Sequence, residues 1–302
     1  MISAIVTIPP YAVFIKEVAK HPLVSGLRLN TVMPIKESLD DLLDRLAGVS
    51  GKYGKDLWID LKCRQLRVKS YGVPPFTEIE LTHNIKVDTP TLAYFHNGEE
   101  VAKVLEIDKN RLIMENGPKR VVGPGESVNI PDSSLEIDGF FTPTDLKYIE
   151  AGTKGKVHSY MLSFVEGKKD IDELLKYDAK ARIIAKIEST KGMDYVNNEW
   201  KDEARLMAAR GDLFVEVGKP HKIIKAMEDI ISKDNYAIAA SRIFPSLAES
   251  LSPSCSDIGD ADNLLRMGYK TFMFGDDICM QRESIISGLN LLSIMAEKYD
   301  ME

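Results

Sequence analysis

Ile183-Ile184-Ala185-Lys186-Ile187-Glu188 and Leu206-Met207-Ala208-Ala209-Arg210-Gly211-Asp212 decide how this chain folds. Each is an apolar, strand-like run that turns polar only at its C-terminal end. Parallel-sheet proteins gather their functional groups at that end. Glu188 and Asp212 are 24 residues apart, one strand–helix unit, which places them on neighbouring strands. Lys186 lies two residues before Glu188, so both side chains project from the same side of the strand. Two carboxylates converging there suit a hard divalent cation, Mg²⁺ or Mn²⁺, with positions left for substrate or water. The lysine can neutralise charge or direct a proton.

Upstream, the chain reads strand, helix, strand, helix, strand. Ile5-Val6-Thr7-Ile8 is β-branched and closed by Pro9-Pro10. Val13, Ile15, Val18 and Ala19 follow at helical spacing. Gly26-Leu27-Arg28-Leu29-Asn30 is a second strand, the Leu39–Leu46 leucines a second helix, and Leu57-Trp58-Ile59-Asp60-Leu61-Lys62 a third strand. From about residue 68 to 129 the helical period vanishes. Short alternating runs are divided there by His96-Asn97-Gly98, Asp108-Lys109-Asn110 and Glu115-Asn116-Gly117, which predicts an inserted antiparallel β domain. Thr142-Pro143-Thr144-Asp145 then caps a helix. Strand-like runs recur at Val157–Phe164, Arg182–Glu188, Arg205–Asp212, Tyr236–Ser241 and Thr271–Gly275. Three strands before the insert and five after it make a (β/α)₈ TIM barrel, an α/β fold: barrel 1–67, inserted domain 68–129, barrel 130–302. The rival, an open doubly wound sheet, lacks a Gly-rich dinucleotide loop after the first strand.

The strand ends collect Arg28, Asn30, Asp60, Lys62, Lys186, Glu188, Asp212 and Ser241. Arg28 is a candidate clamp for phosphate or carboxylate. Singly, each residue has a plainer reading: a salt bridge for Lys186–Glu188, a turn cap for Asp212, a loop anchor for Arg28. Their recurrence at one level of successive strands favours a site. The five histidines fall outside this set and read as surface or core residues.

Composition narrows the classes. The 302 residues are 44% hydrophobic and 28% charged, ordinary for a globular protein. A net charge of −7 without basic runs argues against nucleic acid as partner. No stretch reaches the roughly 18 apolar residues of a membrane span, and Met1–Val6 has no basic, apolar leader pattern. Cys63, Cys255 and Cys279 form neither a disulfide framework nor a zinc pattern; a cytoplasmic setting is expected, with Cys255 and Cys279 as packed thiols.

The run Ile184–Glu188, followed by Met207-Ala208-Ala209-Arg210-Gly211-Asp212-Leu213-Phe214-Val215-Glu216, resembles the metal-site signature of the pyruvate kinase family. Val6–Pro10, Gly26–Asn30, Ile59–Lys62, Ser127–Pro131, Phe141–Asp145, Ser163–Val165, Ala240-Ser241, Pro253–Asp257 and Gly275-Asp276-Asp277 match further landmarks in order. The resemblance implies phosphoryl transfer between phosphoenolpyruvate and ADP, giving pyruvate and ATP. Glu188 and Asp212 would bind Mg²⁺ or Mn²⁺, and the backbone of Ala209, Arg210 and Gly211 the substrate carboxylate. Lys186 would stabilise the transferring group, Arg28 grip the phosphate, and Ser241 stand for a family threonine near the enolate. Asn30 and Asp60 would belong to a monovalent-cation (K⁺) site.

Departures accompany the match. The family's Ser-His-Gly after the second-strand asparagine is here Thr31-Val32-Met33, and its Asp-Thr-Lys-Gly-Pro-Glu is Asp60-Leu61-Lys62-Cys63-Arg64-Gln65. A cation-ligand threonine is lost and a glutamate becomes Gln65, so the resemblance does not secure K⁺ dependence. The insert is short, and the barrel ends near Asp300 without the C-terminal domain that carries much of the oligomer contact, which leaves a homo-oligomer open. Two alternatives stand beside the kinase: a metal-dependent aldolase or lyase of the phosphoenolpyruvate/pyruvate barrel group, and a non-catalytic descendant that binds a metabolite.

Overall fold

The computed structural model describes residues 1–300. Its first part comprises β1 (Ser3–Thr7), α1 (Ile15–Lys20), β2 (Val24–Asn30), α2 (Leu39–Lys52) and β3 (Asp56–Leu61). The insert contributes β4 (Glu78–Glu80), β5 (Ile85–Lys86), β6 (Thr91–Phe95), β7 (Glu100–Asp108), β8 (Arg111–Met114) and β9 (Val128–Asn129), and β10 (Glu136–Ile137), past its expected end at residue 129, pairs back onto β5. The chain then returns through α3 (Pro143–Lys154), β11 (Ser159–Leu162), α4 (Lys168–Tyr177), β12 (Arg182–Ile187), α5 (Thr190–Asn198), β13 (Arg205–Ala209) and α6 (Arg210–Glu216). It closes with α7 (Lys222–Lys233), β14 (Ile238–Ala240), α8 (Cys255–Met267), β15 (Thr271–Phe274), α9 (Asp276–Cys279) and α10 (Arg282–Glu297).

Eight parallel strands form a closed barrel in the order β1-β2-β3-β11-β12-β13-β14-β15, with β15 pairing back onto β1. The insert follows the third strand and builds a five-stranded antiparallel sheet, β4-β8-β7-β6-β9, around its own core. That core runs from Leu66 and Val68 through Phe95, Val104 and Leu112 to Val128 and Ile130. His96–Gly98 makes the β6–β7 turn, with Asn97 at φ 56°, a left-handed position that asparagine tolerates.

Strand parity explains why the barrel has a dry floor and a charged mouth. Ile5, Trp58, Met161, Ile184, Met207, Ile238 and Met273 pack together inside it. Two residues further along three of these strands stand Thr7, Asp60 and Lys186, necessarily on the same inward side. Arg28 pairs in register with Trp58, and Asn30 with Asp60. The polar tails read from the sequence are therefore the upper layer of the barrel interior.

Several expected strands stop earlier. The run Arg205–Asp212 becomes β13, whose last residue is Ala209, and α6 begins at Arg210. Tyr236–Ser241 shrinks to Ile238–Ala240 and Val157–Phe164 to Ser159–Leu162. Phe164 and Ser241, at φ 51° and 65°, turn the chain out of the ladder. Thr142 caps α3 as expected, in a full capping box with Asp145. Asp145 also accepts hydrogen bonds from the Lys62 and Cys63 amides at 2.8 and 3.0 Å, which pins the exit of β3. Cys279 is a buried thiol as expected, but Cys255 is exposed, because it opens α8 beyond the cap residue Ser254. No helix among the described residues is long and apolar enough to cross a membrane.

The barrel floor depends on one close approach. A Cβ on Gly26 would lie 2.9 Å from the Trp58 ring. Gly26→Val should cost about 1–3 kcal/mol in urea unfolding through overpacking. An unchanged midpoint would show that Trp58 moves aside freely.

Candidate active site

Asp60 sits at the centre of the mouth, fully buried. Its Oδ2 accepts from Arg28 Nε at 2.9 Å and Lys62 Nζ at 2.7 Å, and its Oδ1 from Lys186 Nζ at 3.3 Å. Burial opposes its charge, but Arg28, Lys186 and Lys62 together hold the carboxyl well below the usual range. Among those three cations the cost of burial is unequal. It pushes Lys62 down to about 8, whereas Asp60 and Glu188 overcome it at Lys186 and raise that lysine.

Lys186 donates to Asp60 and to Ser163 Oγ at 2.8 Å, and its ammonium also forms an ion pair with Glu188 Oε1 at 3.2 Å. Glu188 lies one residue beyond β12, and its other oxygen accepts from the Phe164 amide at 2.9 Å. Burial raises its pKa, with the Asp212 charge adding to that and Lys186 opposing. Asp212 reaches the site from the first turn of α6, not from a strand end as expected. An acidic side chain is favoured there by the helix dipole. Its two oxygens accept from Gln65 Nε2 at 2.8 Å and Asn129 Nδ2 at 3.1 Å.

The remaining sequence-derived residues divide. Arg28 is at the mouth but not free: besides Asp60 it donates to Thr7 Oγ1 at 2.8 Å and Asp276 Oδ1 at 2.9 Å. Asn30 donates to Asp276 Oδ2 at 2.8 Å. The Arg210 side chain turns away, donating to both Asp260 oxygens at 2.7 and 2.9 Å and to the Ser241 carbonyl. Ala209 packs with the apolar barrel interior, and a Cβ on Gly211 would meet Ser241 Oγ at 3.4 Å.

Four participants escaped the sequence reading. Asp276 enters from α9 and ties Arg28 to Asn30. Arg67 donates to Gln65 Oε1 through Nε at 3.0 Å and Nη2 at 2.6 Å, and among the described residues no carboxylate pairs with it. Gln65 joins Arg67 to Asp212. Asn129, in the insert's last strand of the large sheet, donates to both Asp212 and Glu216 at 3.1 Å. All but Arg67 stood in stretches already quoted as landmarks, yet only the fold reveals what they face.

The donor set divides between the two cations that the resemblance implies. Glu188 and Asp212 are close enough to repel, which a divalent cation would relieve. No group of three or more His, Cys, Asp or Glu among the described residues could hold a metal alone. A cation on these two carboxylates would complete its shell from substrate and water, as Mg²⁺ does. The divalent pair fits. The Asn30–Asp60 pair does not fit a monovalent cation, because Asp60 already faces three cationic side chains.

A family model described as pyruvate kinase, barrel domain, matches residues 76–279. The chain belongs to the pyruvate kinase family. A pyruvate kinase of Methanocaldococcus jannaschii is 24% identical over 299 residues, covering 92% of this chain and 65% of that protein. One from Borreliella burgdorferi is 23% identical, covering 92% of this chain and 63% of its own length. Thermoplasma acidophilum has a pyruvate kinase 31% identical over 161 residues, 50% of this chain and 29% of that protein. The chain thus spans less than two thirds of the length of these pyruvate kinases.

Glu216 closes the C-terminal turn of α6 under the insert, and burial pushes its carboxyl up to about 8. Unfolded, it ionises near 4.5, so between those values folding takes up a proton. Its contribution is fully present below about 4.5 and is lost as pH rises through about 8. Stability should therefore fall over that window by up to about 1.4 kcal/mol per pH unit. Glu216→Gln should flatten the slope in urea titrations made at several pH values. Identical slopes would show an unshifted carboxyl.

Proposed function

We propose that this chain transfers a phosphoryl group between phosphoenolpyruvate and ADP, giving pyruvate and ATP. The supporting observation is the convergence of Lys186, Glu188 and Asp212 beside Arg28 at the mouth of a pyruvate kinase-family barrel. Glu188 and Asp212 would hold Mg²⁺ or Mn²⁺, which supplies charge neutralisation at the carboxylate and phosphoryl oxygens when bound. The backbone of Ala209–Gly211 receives the substrate carboxylate. Arg28 and Arg67 supply positive charge for the phosphate, and Arg67 is the better placed because it carries no carboxylate partner.

Lys186 stabilises the transferring group. Two of its N–H groups are held by Asp60 and Ser163, and the third, beside Glu188 as an ion pair, is open to the phosphoryl oxygens. The β-phosphate oxygen of ADP forms the new P–O bond as the enolate oxygen leaves. A proton passed through the Ser241 hydroxyl then completes the methyl group of pyruvate. For the nucleotide, a cavity of about 330 Å³ beyond β1 offers the Tyr11 ring and Lys36. The larger cavity, about 780 Å³, lies outside Glu188 and is lined by Asp132, Glu136, Glu166, Asp194, Glu199 and Glu216 against Arg64, Lys169 and Lys191. That acidic balance is unfavourable for phosphates.

A lactate-dehydrogenase-coupled assay with phosphoenolpyruvate, ADP and Mg²⁺ should show turnover. Lys186→Met should lower kcat by about 10²–10³-fold, the scale for losing one preorganised donor. Wild-type rates in that variant would refute the assignment. Glu188→Gln and Asp212→Asn should each weaken Mn²⁺ binding followed by electron paramagnetic resonance, and unchanged binding would remove the divalent site.

A further inference from the structure

The Asn30–Asp60 corner, which the resemblance gives to a monovalent cation, is already closed by the chain itself. Every oxygen there has a donor. Asp60 Oδ2 takes Arg28 and Lys62, the ammonium of Lys62 lying 2.7 Å away, and Asp60 Oδ1 takes Lys186. Asn30 Oδ1 accepts from the Val32 amide at 3.2 Å, while its Nδ2 is directed to Asp276. The carbonyls of Asp60 and Leu61 accept from Thr31 Oγ1 and Ser163 Oγ, each at 2.8 Å. The side chain of Val32, two residues after Asn30, brings no oxygen. A monovalent cation needs a shell of oxygens to replace its water, and none is left uncommitted here.

Charge leads to the same place. The mouth holds four cationic side chains, Arg28, Lys62, Arg67 and Lys186, interleaved with four carboxylates, Asp60, Glu188, Asp212 and Asp276. Without any ion the set is formally neutral. Gln65 lies at its seam: Oε1 receives two N–H groups of Arg67, and Nε2 donates to Asp212 Oδ2 at 2.8 Å. A carboxylate at this position would add a negative charge and turn the Asp212 contact from attraction into repulsion. A bound monovalent cation would be one remedy for that imbalance.

We infer that the site takes no monovalent cation, its oxygens being committed within the chain and Gln65 keeping the cluster neutral. The inference rests on the phosphotransfer reading for its place in the mechanism, but cation binding itself is measurable without substrate. Gln65 is here a positioning residue: it acts through Arg67 and Asp212, not on the reacting atoms.

The test uses the full chain and Tl⁺, a probe for K⁺ sites, followed by ²⁰⁵Tl NMR without phosphoenolpyruvate or nucleotide. The wild-type chain should show no saturable Tl⁺ binding. Gln65→Glu, which restores the acidic charge, should gain a saturable site that K⁺ displaces and tetramethylammonium does not. Lys62→Met, which uncovers Asp60 Oδ2, should gain one too and serves if Gln65→Glu does not fold. Saturable, K⁺-displaced binding to the wild-type chain overturns the inference. Failure of every folded variant to gain binding overturns its charge account. In the coupled assay, wild-type turnover should be equal in KCl and tetramethylammonium chloride, and a rate present only in KCl also overturns it. A chain inactive in both salts would count against the phosphotransfer reading alone, since the Tl⁺ measurement stands without turnover.

Discussion

The ion cluster around Asp60 is the constraint from which the rest of the mouth follows. A carboxylate removed from water is tolerable only with close cationic partners, and removing a partner from such a pair costs about 3–5 kcal/mol. Asp60 has three, drawn from β2, β12 and the exit of β3. Below the cluster the inward residues of these strands, Gly26, Trp58 and Ile184, carry no charge, so it cannot sink into the floor. The barrel interior thereby has one place for polar chemistry. Asp145 holds the Lys62 backbone from α3, and Asp276 holds Arg28 and Asn30 from α9, so elements far apart in sequence hold one arrangement.

Much of the fold was legible because burial leaves a period in the sequence. Runs such as Ile183–Ala185 and Leu206–Ala209 are apolar on both faces, and their count and polar endings identified a barrel. The insert was legible for the opposite reason, its alternation and its Asn-Gly turns. Strand ends were less so. Hydrophobicity continues past the last ladder bond at Leu213 and Phe164, where α6 and the β11 loop bury apolar side chains without being strands. Asp212 was therefore recognised as a site residue but given the wrong element.

The candidate site was legible for residues that strand parity lifts to the mouth: Arg28, Asp60, Lys186 and Glu188. It was not legible for residues delivered by loops and by the insert. Asp276, Arg67 and Asn129 carry no periodic signal, and their partners are 248, 2 and 83 residues away for the contacts with Arg28, Gln65 and Asp212. Gln65 is the instructive case. As a sequence departure it reads as a lost carboxylate. In the fold it is a connector that suits an arginine on one side and a carboxylate on the other.

The β6–β7 turn has a mechanical meaning as well. Gly98 rests against α6, where an added Cβ would stand 2.9 Å from Val215 Cγ2, and Asn129 grips the same helix through Asp212 and Glu216. The insert thus leans on α6 at two separate points, a strut with a foot and a clamp. Tilting it away from the barrel would lift Gly98 from Val215 and break both Asn129 hydrogen bonds in one movement. The orientation of the Asp212 carboxylate is consequently geared to the attitude of a domain whose own core shares no buried residue with the barrel's.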